Sequence, residues 1–130
     1  MFKFSGTRPS TLGVKDGKLA ACPTSPNCVN SQAADRHHRI DPLAFSGDAV
    51  TAMQKLSAIV AALPRTQVIQ RRADYLYVEF STPLMGFVDD VEFYCDGKAI
   101  QVRSASRLGK SDLGVNRKRI EAIRAAFRNL

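Results

Sequence analysis

The sequence lacks tryptophan altogether, and aromatic residues make up only 8% of its 130 residues. No apolar run approaches the roughly 20 residues that a transmembrane helix needs, so we expect no membrane span. Cysteine is scarce as well, and three cysteines leave one unpaired in any disulfide scheme. Cys22, Cys28, His37 and His38 do not have the spacing of a zinc site. We therefore expect neither a metal nor another cofactor.

Two of the cysteines, Cys22 and Cys28, bracket the turn-rich sequence Pro-Thr-Ser-Pro-Asn, which could bring their thiols together. Leu19–Cys22 matches the motif at which bacterial lipoproteins are cleaved. The preceding residues 7–18 contain no apolar segment of the kind that a signal peptide needs. The sequence therefore predicts a cytoplasmic protein, in which a disulfide between these two cysteines would not persist.

Acidic residues are nearly absent from the end of the chain. Residues 98–130 hold nine Lys and Arg against two acids, whereas residues 1–97 hold ten of each, so the whole formal charge of +7 lies in the final part. This asymmetry indicates an acidic partner, an anionic ligand or nucleic acid, although a solvated helix face explains it equally well. Nucleic acid is possible but not favoured, because no aromatic residues alternate with the basic ones and no known reader motif is present.

With 45% hydrophobic residues, the chain suits a single domain with a modest core. Residues 1–36 are rich in Gly, Pro, Ser, Thr and Asn and are predicted to form an irregular N-terminal arm, followed by an α+β domain at 37–130. The predicted elements are a short edge strand at His38–Phe45, a helix at Asp48–Leu63 capped by Ser46 or Asp48, strands at Thr66–Arg71, Asp74–Ser81, Phe87–Cys95 and Lys98–Ser106, and a helix at Val115–Leu130.

This order, β-α-β-β-β-β-α, predicts an antiparallel meander sheet that is covered on one face by two helices. The last helix is amphipathic. Its apolar face is predicted to carry Ile120, Ile123, Phe127 and Leu130, and its polar face to carry Arg117, Glu121, Arg124 and Arg128.

The dipeptide Asp96–Gly97 predicts a two-residue hairpin turn between the last two strands. In that register Asp90 lies opposite Arg103 on the polar face, as an exposed cross-strand pair. Asp89 lies opposite Ser104 on the apolar face, because successive residues of a strand point to opposite sides of the sheet.

Asp89 should therefore point toward the last helix, where a buried carboxylate needs partners. The polar residues that this arrangement brings near it are Ser104, Ser106, Asn116 and Arg119. We expect the five residues to form one cluster where the sheet meets the start of the helix. Such a cluster either fixes the helix on the sheet or forms part of a binding site.

Outside this cluster, Arg107, Lys110 and Arg117 are predicted to face an anion. Gly109–Ser111 resembles the end of a phosphate-binding P-loop, but the glycine that the motif requires five residues before Gly109 is a serine here, so the match fails. Asp112 is predicted to cap the last helix.

Four segments carry a family resemblance: Cys22–Val29, Phe87–Phe93, Arg103–Arg107 and Ser111–Ile120. In this order they resemble the bacterial and plant family catalogued as domain of unknown function 1499, over about residues 19–128. The resemblance implies no established activity, ligand or catalytic residue. Many relatives look exported or membrane-associated, which differs from the cytoplasmic location that this sequence predicts.

The leading hypothesis is a non-catalytic domain that binds a small anionic ligand or an acidic protein surface through the Arg103–Arg119 segment. The alternative is a hydrolase acting on an anionic substrate, with Asp89 or Asp90 as acid/base, but no convincing nucleophile accompanies them. A purely structural or assembly role is the third possibility. The predicted ligand-binding residues are Asp89, Asp90, Arg103, Ser104, Ser106, Arg107, Lys110, Asn116, Arg117 and Arg119.

Overall fold

The computed structural model describes residues 5–83, 86–109 and 114–129. Its element order is the predicted β-α-β-β-β-β-α, in a single α+β domain. The elements are β1 (Cys28–Asn30), α1 (Ala49–Ala61), β2 (Thr66–Arg71), β3 (Tyr75–Ser81), β4 (Val88–Cys95), β5 (Ile100–Ser106) and α2 (Val115–Arg128). No helix in these described ranges is long and apolar enough to cross a membrane.

The five strands form one antiparallel sheet in the order β1-β5-β4-β3-β2. One face of the sheet carries the main hydrophobic core, because the alternate side chains of β3, β4 and β5 on that face are apolar. Both helices pack against it and bury their own apolar stripes there. Central members of this core are Leu56, Val78, Val91, Phe93, Ile100 and Ile120.

The first helix begins where the sequence predicts. Asp48 has an extended backbone, and its carboxylate accepts a hydrogen bond of 2.9 Å from the Thr51 amide, so Asp48 is the N-cap. The helix ends at Ala61, shortly before Pro64, which has no backbone N–H to continue it.

The prediction of a first strand at His38–Phe45 is wrong. The first strand is Cys28–Asn30, which pairs with β5 at the edge of the sheet. The predicted segment contributes only isolated bridges, from Arg39 to Asn30 and from Leu43 to Ile100. Pro42 interrupts any longer ladder in this segment, and a three-residue strand is too short to show an alternating pattern.

The predicted two-residue turn between β4 and β5 is also wrong. The loop has four residues, since Cys95 lies opposite Ile100. The Asp96 carboxylate accepts hydrogen bonds from the amides of Lys98 (2.9 Å) and Ala99 (3.0 Å), which stabilises the wider loop.

The wider loop shifts every predicted partner by two residues. Asp90 therefore lies opposite Ala105, and Arg103 lies opposite Glu92. A shift of two leaves each side chain on its predicted face, so Asp89 still points toward the helices. The predicted pair of Asp90 and Arg103 does not form, and both residues are buried rather than exposed.

The second helix buries Ile120, Ile123 and Phe127, as its spacing predicts. Arg124 does not lie on the solvent face. Its side chain is buried, and it donates hydrogen bonds to the carbonyl oxygens of Asp41 (2.7 Å) and Pro42 (2.8 Å). The N-cap position is Gly114, and the predicted cap Asp112 lies outside the described residues.

The opposite face of the sheet is covered by the N-terminal segment. Leu19 packs there against Tyr75 and Tyr77 in a second, smaller apolar cluster. A disulfide joins Cys22 to Cys28 and so ties this segment to β1. The segment predicted to be an irregular arm therefore supplies both the first strand and the cover for one face of the sheet.

Candidate functional site

Asp89 and Arg119 form an ion pair where β4 meets α2. The Arg119 guanidinium donates a hydrogen bond of 2.7 Å to Asp89 Oδ2, and both side chains are largely buried. The face of the same guanidinium lies 4.8 Å from the centre of the Phe80 ring, a distance typical of a cation–π contact. These two contacts fix the first turns of α2 against the sheet.

Asn116 connects this ion pair to β5. Its Oδ1 accepts hydrogen bonds from the Ser104 hydroxyl (2.6 Å) and from Arg119 (2.9 Å). Its amide nitrogen donates to the Ser106 hydroxyl (2.9 Å) and to the carbonyl of Asn27 (3.2 Å). Asn116 is completely buried. We call Asp89, Ser104, Ser106, Asn116 and Arg119 the Asp89 cluster.

A pocket of about 250 Å³ opens beside this cluster. Asp89 and Ser106 are among its lining residues, next to largely apolar walls. Phe87, Leu108 and Val115 line it and remain 38%, 42% and 43% exposed. We call this cavity the Asp89 pocket. Its composition, apolar walls with few polar groups, is that of a small-molecule site.

The other face of the sheet carries a second polar network, centred on Arg107. Its guanidinium contacts both oxygens of Asp90, at 2.9 and 2.8 Å, and donates to Glu79 at 2.6 Å. The Tyr77 hydroxyl donates to Asp90. Hydrogen bonding to Asp90 raises the pKa of Arg107. Arg107 therefore has internal carboxylate partners, and that it also faces an external anion stays a prediction.

Glu92 is the most deeply buried acid of this face, with no exposed surface. Its Oε2 accepts hydrogen bonds from the Tyr75 hydroxyl and from the Gly13 amide, while Oε1 has no partner among the described atoms. Burial raises the pKa of the Glu92 carboxyl, because the charged form is poorly solvated there.

Arg103, opposite Glu92, is buried beneath the N-terminal segment. Its guanidinium donates to the carbonyls of Ala20 (2.8 Å) and Ala21 (3.2 Å). Burial lowers the pKa of Arg103. Its contacts tie the N-terminal segment to the sheet and leave it remote from the Asp89 pocket, whose lining does not include it.

The structure brings together five of the ten predicted binding residues, those of the Asp89 cluster. Asp90, Arg103 and Arg107 lie on the opposite face of the sheet. Arg117 lies at the surface and donates to the carbonyls of Arg39 (2.9 Å) and His37 (3.2 Å). Lys110 lies outside the described residues. Whether any of the ten binds a ligand stays a prediction.

Sequence reasoning missed the apolar rim of the pocket, formed by Phe87, Leu108 and Val115. Each is a single apolar residue beside a strand or helix end, without a periodic pattern that would reveal it. Within the described ranges, no three His, Cys, Asp or Glu side chains are grouped so that they could hold a metal ion.

Comparison with known proteins identifies the family of this chain. Neither the curated proteins nor the solved structures contain a match to this chain. The family model described as "Protein of unknown function (DUF1499)" matches residues 18–127, nearly the whole chain. The match covers the Asp89 cluster, Arg107 with its carboxylate partners, all five strands, α1 and all of α2 except Arg128. The chain therefore belongs to the DUF1499 family of proteins of unknown function.

Proposed function

We propose that this protein is a non-catalytic binding domain whose ligand enters the Asp89 pocket. The observation that carries the proposal is the grouping of exposed apolar side chains. Three of the four large apolar side chains that are exposed in the described chain, Phe87, Leu108 and Val115, surround this one pocket. Grouped exposed apolar surface beside polar groups is typical of a binding site, whereas single exposed apolar residues are ordinary.

The polar groups of the pocket define the ligand. Asp89 uses Oδ2 for Arg119, and Ser106 accepts a hydrogen bond from Asn116. The remaining capacity of a carboxylate is for accepting hydrogen bonds. A small uncharged molecule with an apolar body and an N–H or O–H donor fits this lining best. It buries its apolar body against Phe87, Leu108 and Val115.

Titration of the ¹⁵N-labelled protein with three probes tests this proposal. Benzyl alcohol and benzamide carry a donor, and benzoate carries a negative charge instead. We expect the first two to shift the backbone amide signals of Phe87, Leu108 and Val115, and benzoate to bind at least about tenfold more weakly, a difference of about 1.4 kcal/mol. Leu108→Ser should weaken binding, whereas Ala125→Ser, at an exposed apolar residue outside both proposed sites, should not. Equal binding by all three probes contradicts the proposed chemistry.

A second candidate function keeps the anionic ligand that the sequence predicts, at a different place. Arg36, Arg39 and Arg117 line a surface cleft of about 300 Å³, together with Asp41 and Glu121. Three arginines against two acids leave a modest positive charge for a small anion or an acidic protein surface. Titration with inorganic pyrophosphate at low and high salt tests it, with Arg39→Gln as the variant and Lys98→Gln as the charge-matched control.

The hydrolase alternative is less well supported. Asp90 has both oxygens bound to Arg107 and is 1% exposed, so a substrate has no access to it. Asp89 is the one acid among the described lining residues of its pocket. A hydrolase would therefore depend on Asp89, and Asp89→Asn would abolish turnover.

A further inference from the structure

We propose a second binding site, for a small anionic amphiphile, in the groove between α1 and the β2–β3 hairpin. The groove has a volume of about 330 Å³. Its apolar lining includes Val50, Met53 and Leu76, and its polar lining includes Ser57, Arg71 and Arg72. All six belong to well-defined elements or to the turn that joins two of them.

The apolar wall is incompletely covered. Val50 is 48% exposed, the largest exposed fraction among the large apolar side chains of the described chain. Beneath it, Met53 and Leu76 are buried members of the main core. An unbranched, polarisable methionine adapts to different ligand shapes. A short hydrocarbon chain lying here would extend the core outward and cover Val50.

Besides Gln54, the polar lining offers donors for which the described residues show no acceptor. The Ser57 hydroxyl is buried and has no hydrogen-bond partner among the described atoms. A buried hydroxyl without a partner is unfavourable, and a ligand oxygen would satisfy it. This is the only side-chain hydroxyl in the described chain for which the structure shows both burial and no partner.

Two arginines stand at the same groove. Arg71 and Arg72 are exposed, and the ion pairs of the described chain all involve other residues. The Arg72 guanidinium stacks on the Tyr75 ring at 4.9 Å. Tyr75 belongs to the cluster on the face that the N-terminal segment covers, so this stacking holds the Arg72 guanidinium on the opposite side of the sheet from Leu76. Arg71 pairs with Leu76 and shares its face. Arg71 is therefore the arginine whose N–H donors are available in the groove for a carboxylate or phosphate.

The apolar wall and the polar donors of the groove together define the class of ligand. A carboxylate or phosphate head matches donors from Arg71 and Ser57, because a guanidinium fork binds such oxyanions bidentately. The apolar body lies along Val50, Met53 and Leu76. The groove volume is near the lower end of the range of about 300–1,000 Å³ for small-molecule pockets, which limits the body to a short chain. The site differs from the Asp89 pocket in lining and in the charge of its ligand.

Octanoate is a suitable probe, with octanol as the uncharged chain and acetate as the head group alone. Titration of the ¹⁵N-labelled protein with octanoate should give saturable shifts at the backbone amides of Val50, Ser57, Arg71 and Arg72. We expect octanol, which lacks the charged head, and acetate, which lacks the apolar chain, each to bind at least about tenfold more weakly. Vesicles of phosphatidylglycerol present an anionic head group on a membrane surface. Titration with these vesicles therefore distinguishes binding of a free amphiphile from binding to a membrane.

Arg71→Gln/Arg72→Gln should weaken octanoate binding by about tenfold or more. Lys15→Gln/Lys18→Gln removes the same formal charge from exposed lysines elsewhere and should leave it unchanged. Val50→Asp, which places a carboxylate in the apolar wall, should weaken binding without touching the arginines. Thermal unfolding verifies that each variant is folded.

Three results would overturn the proposal. These are equal binding of octanol and octanoate, shifts that map outside the groove, and an arginine double variant that binds as the lysine control does. Binding of the vesicles without binding of octanoate would likewise overturn it, in favour of a membrane surface.

Discussion

Arg119 on α2 donates a hydrogen bond of 2.7 Å to Asp89 on β4, across 30 positions of the chain. Both side chains are largely removed from solvent. A buried ion pair of this kind contributes little compared with an apolar pair, but breaking it leaves an uncompensated charge. The junction of sheet and helix therefore depends on both partners being present.

Asp89→Asn should destabilise the protein by about 3 kcal/mol, because it leaves the buried Arg119 charge without a counter-ion. Urea unfolding monitored by circular dichroism measures the change. Glu121→Gln is the control, since Glu121 also pairs with an α2 arginine, Arg124, but is 52% exposed. We expect the control to cost less than about 1 kcal/mol. Unchanged stability of Asp89→Asn would show that the pair has no structural role.

The two buried polar side chains Asn116 and Ser57 predict opposite mutational effects. Asn116 has hydrogen bonds to its amide and its carbonyl, so Asn116→Ala should cost about 2 kcal/mol by leaving Ser104 and Ser106 unsatisfied. The Ser57 hydroxyl has no partner in the described chain, so Ser57→Ala should raise stability by about 1 kcal/mol. Chemical denaturation of both variants checks this, and a loss of stability in Ser57→Ala would contradict it.

The buried carboxyl of Glu92 should make the free energy of unfolding fall as the pH rises. Burial raises the pKa of its carboxyl above the ordinary value of 4.5. The folded protein then holds a proton that the unfolded chain releases, so the free energy of unfolding falls as the pH rises from 4.5 through the folded-state pKa of Glu92. Glu92→Gln should abolish this fall. At the high-pH end of the range, the variant should be more stable than the wild type. Urea unfolding over about pH 4 to 8 measures it.

Glu79 is a control because its contribution to stability should change with pH in the opposite direction to that of Glu92. Burial alone would raise the pKa of the Glu79 carboxyl, but hydrogen bonds from Arg8, Arg107 and Tyr77 lower it below its ordinary value. The contribution of Glu79 is therefore present above the unfolded pKa and is lost as the pH falls. Glu79→Gln should be less stable than the wild type at neutral pH. Parallel curves for Glu92→Gln and the wild type would refute the role given to Glu92.

The disulfide between Cys22 and Cys28 closes a short loop at the junction between the N-terminal segment and β1. Cys22→Ser/Cys28→Ser should destabilise the protein by roughly 2 kcal/mol, the chain-entropy value for so short a loop. Reduction of the wild type should produce the same loss, and the variant should be insensitive to it. Thiol alkylation with mass spectrometry should find only Cys95 free. A disulfide recovered from the protein in its native cells would favour an oxidising compartment over the cytoplasm that the sequence predicts.

The tripeptide Asp-Gly-Lys occurs twice in the chain and shows where local reasoning ends. At residues 15–18 it forms the two-residue turn, with positive φ at both Asp16 and Gly17. At residues 95–100 the same tripeptide forms part of a four-residue loop, in which the Asp96 carboxylate accepts from two following amides. The dipeptide permits both conformations. The flanking strands and the side chain that captures the amides select between them.

The residues of the Asp89 cluster could be predicted, although the register of β4 against β5 could not. Strand alternation places Asp89 on the helix side in either register, because the two differ by an even number of residues. Helical spacing places Asn116 and Arg119 near the start of α2 on the inward side. The partner of Asp90 depends instead on the register of β4 against β5. In the observed register, Arg107 and not Arg103 binds Asp90.

The sequence alone determined the order of the elements from α1 to α2, the apolar stripes of the two helices and the faces of the strands, because these depend on periodicity within single elements. Tertiary structure decided that the N-terminal segment covers a sheet face, that Arg103, Arg107 and Arg124 have internal partners, and that Phe87, Leu108 and Val115 surround one pocket. These features join residues far apart in the chain, and only the packed backbone determines which charges are paired and which apolar side chains stay exposed. Of the described basic residues at Arg103–Arg119, Arg103 and Arg107 accordingly belong to one face of the sheet and Arg119 to the other, whereas Arg117 lies at the surface.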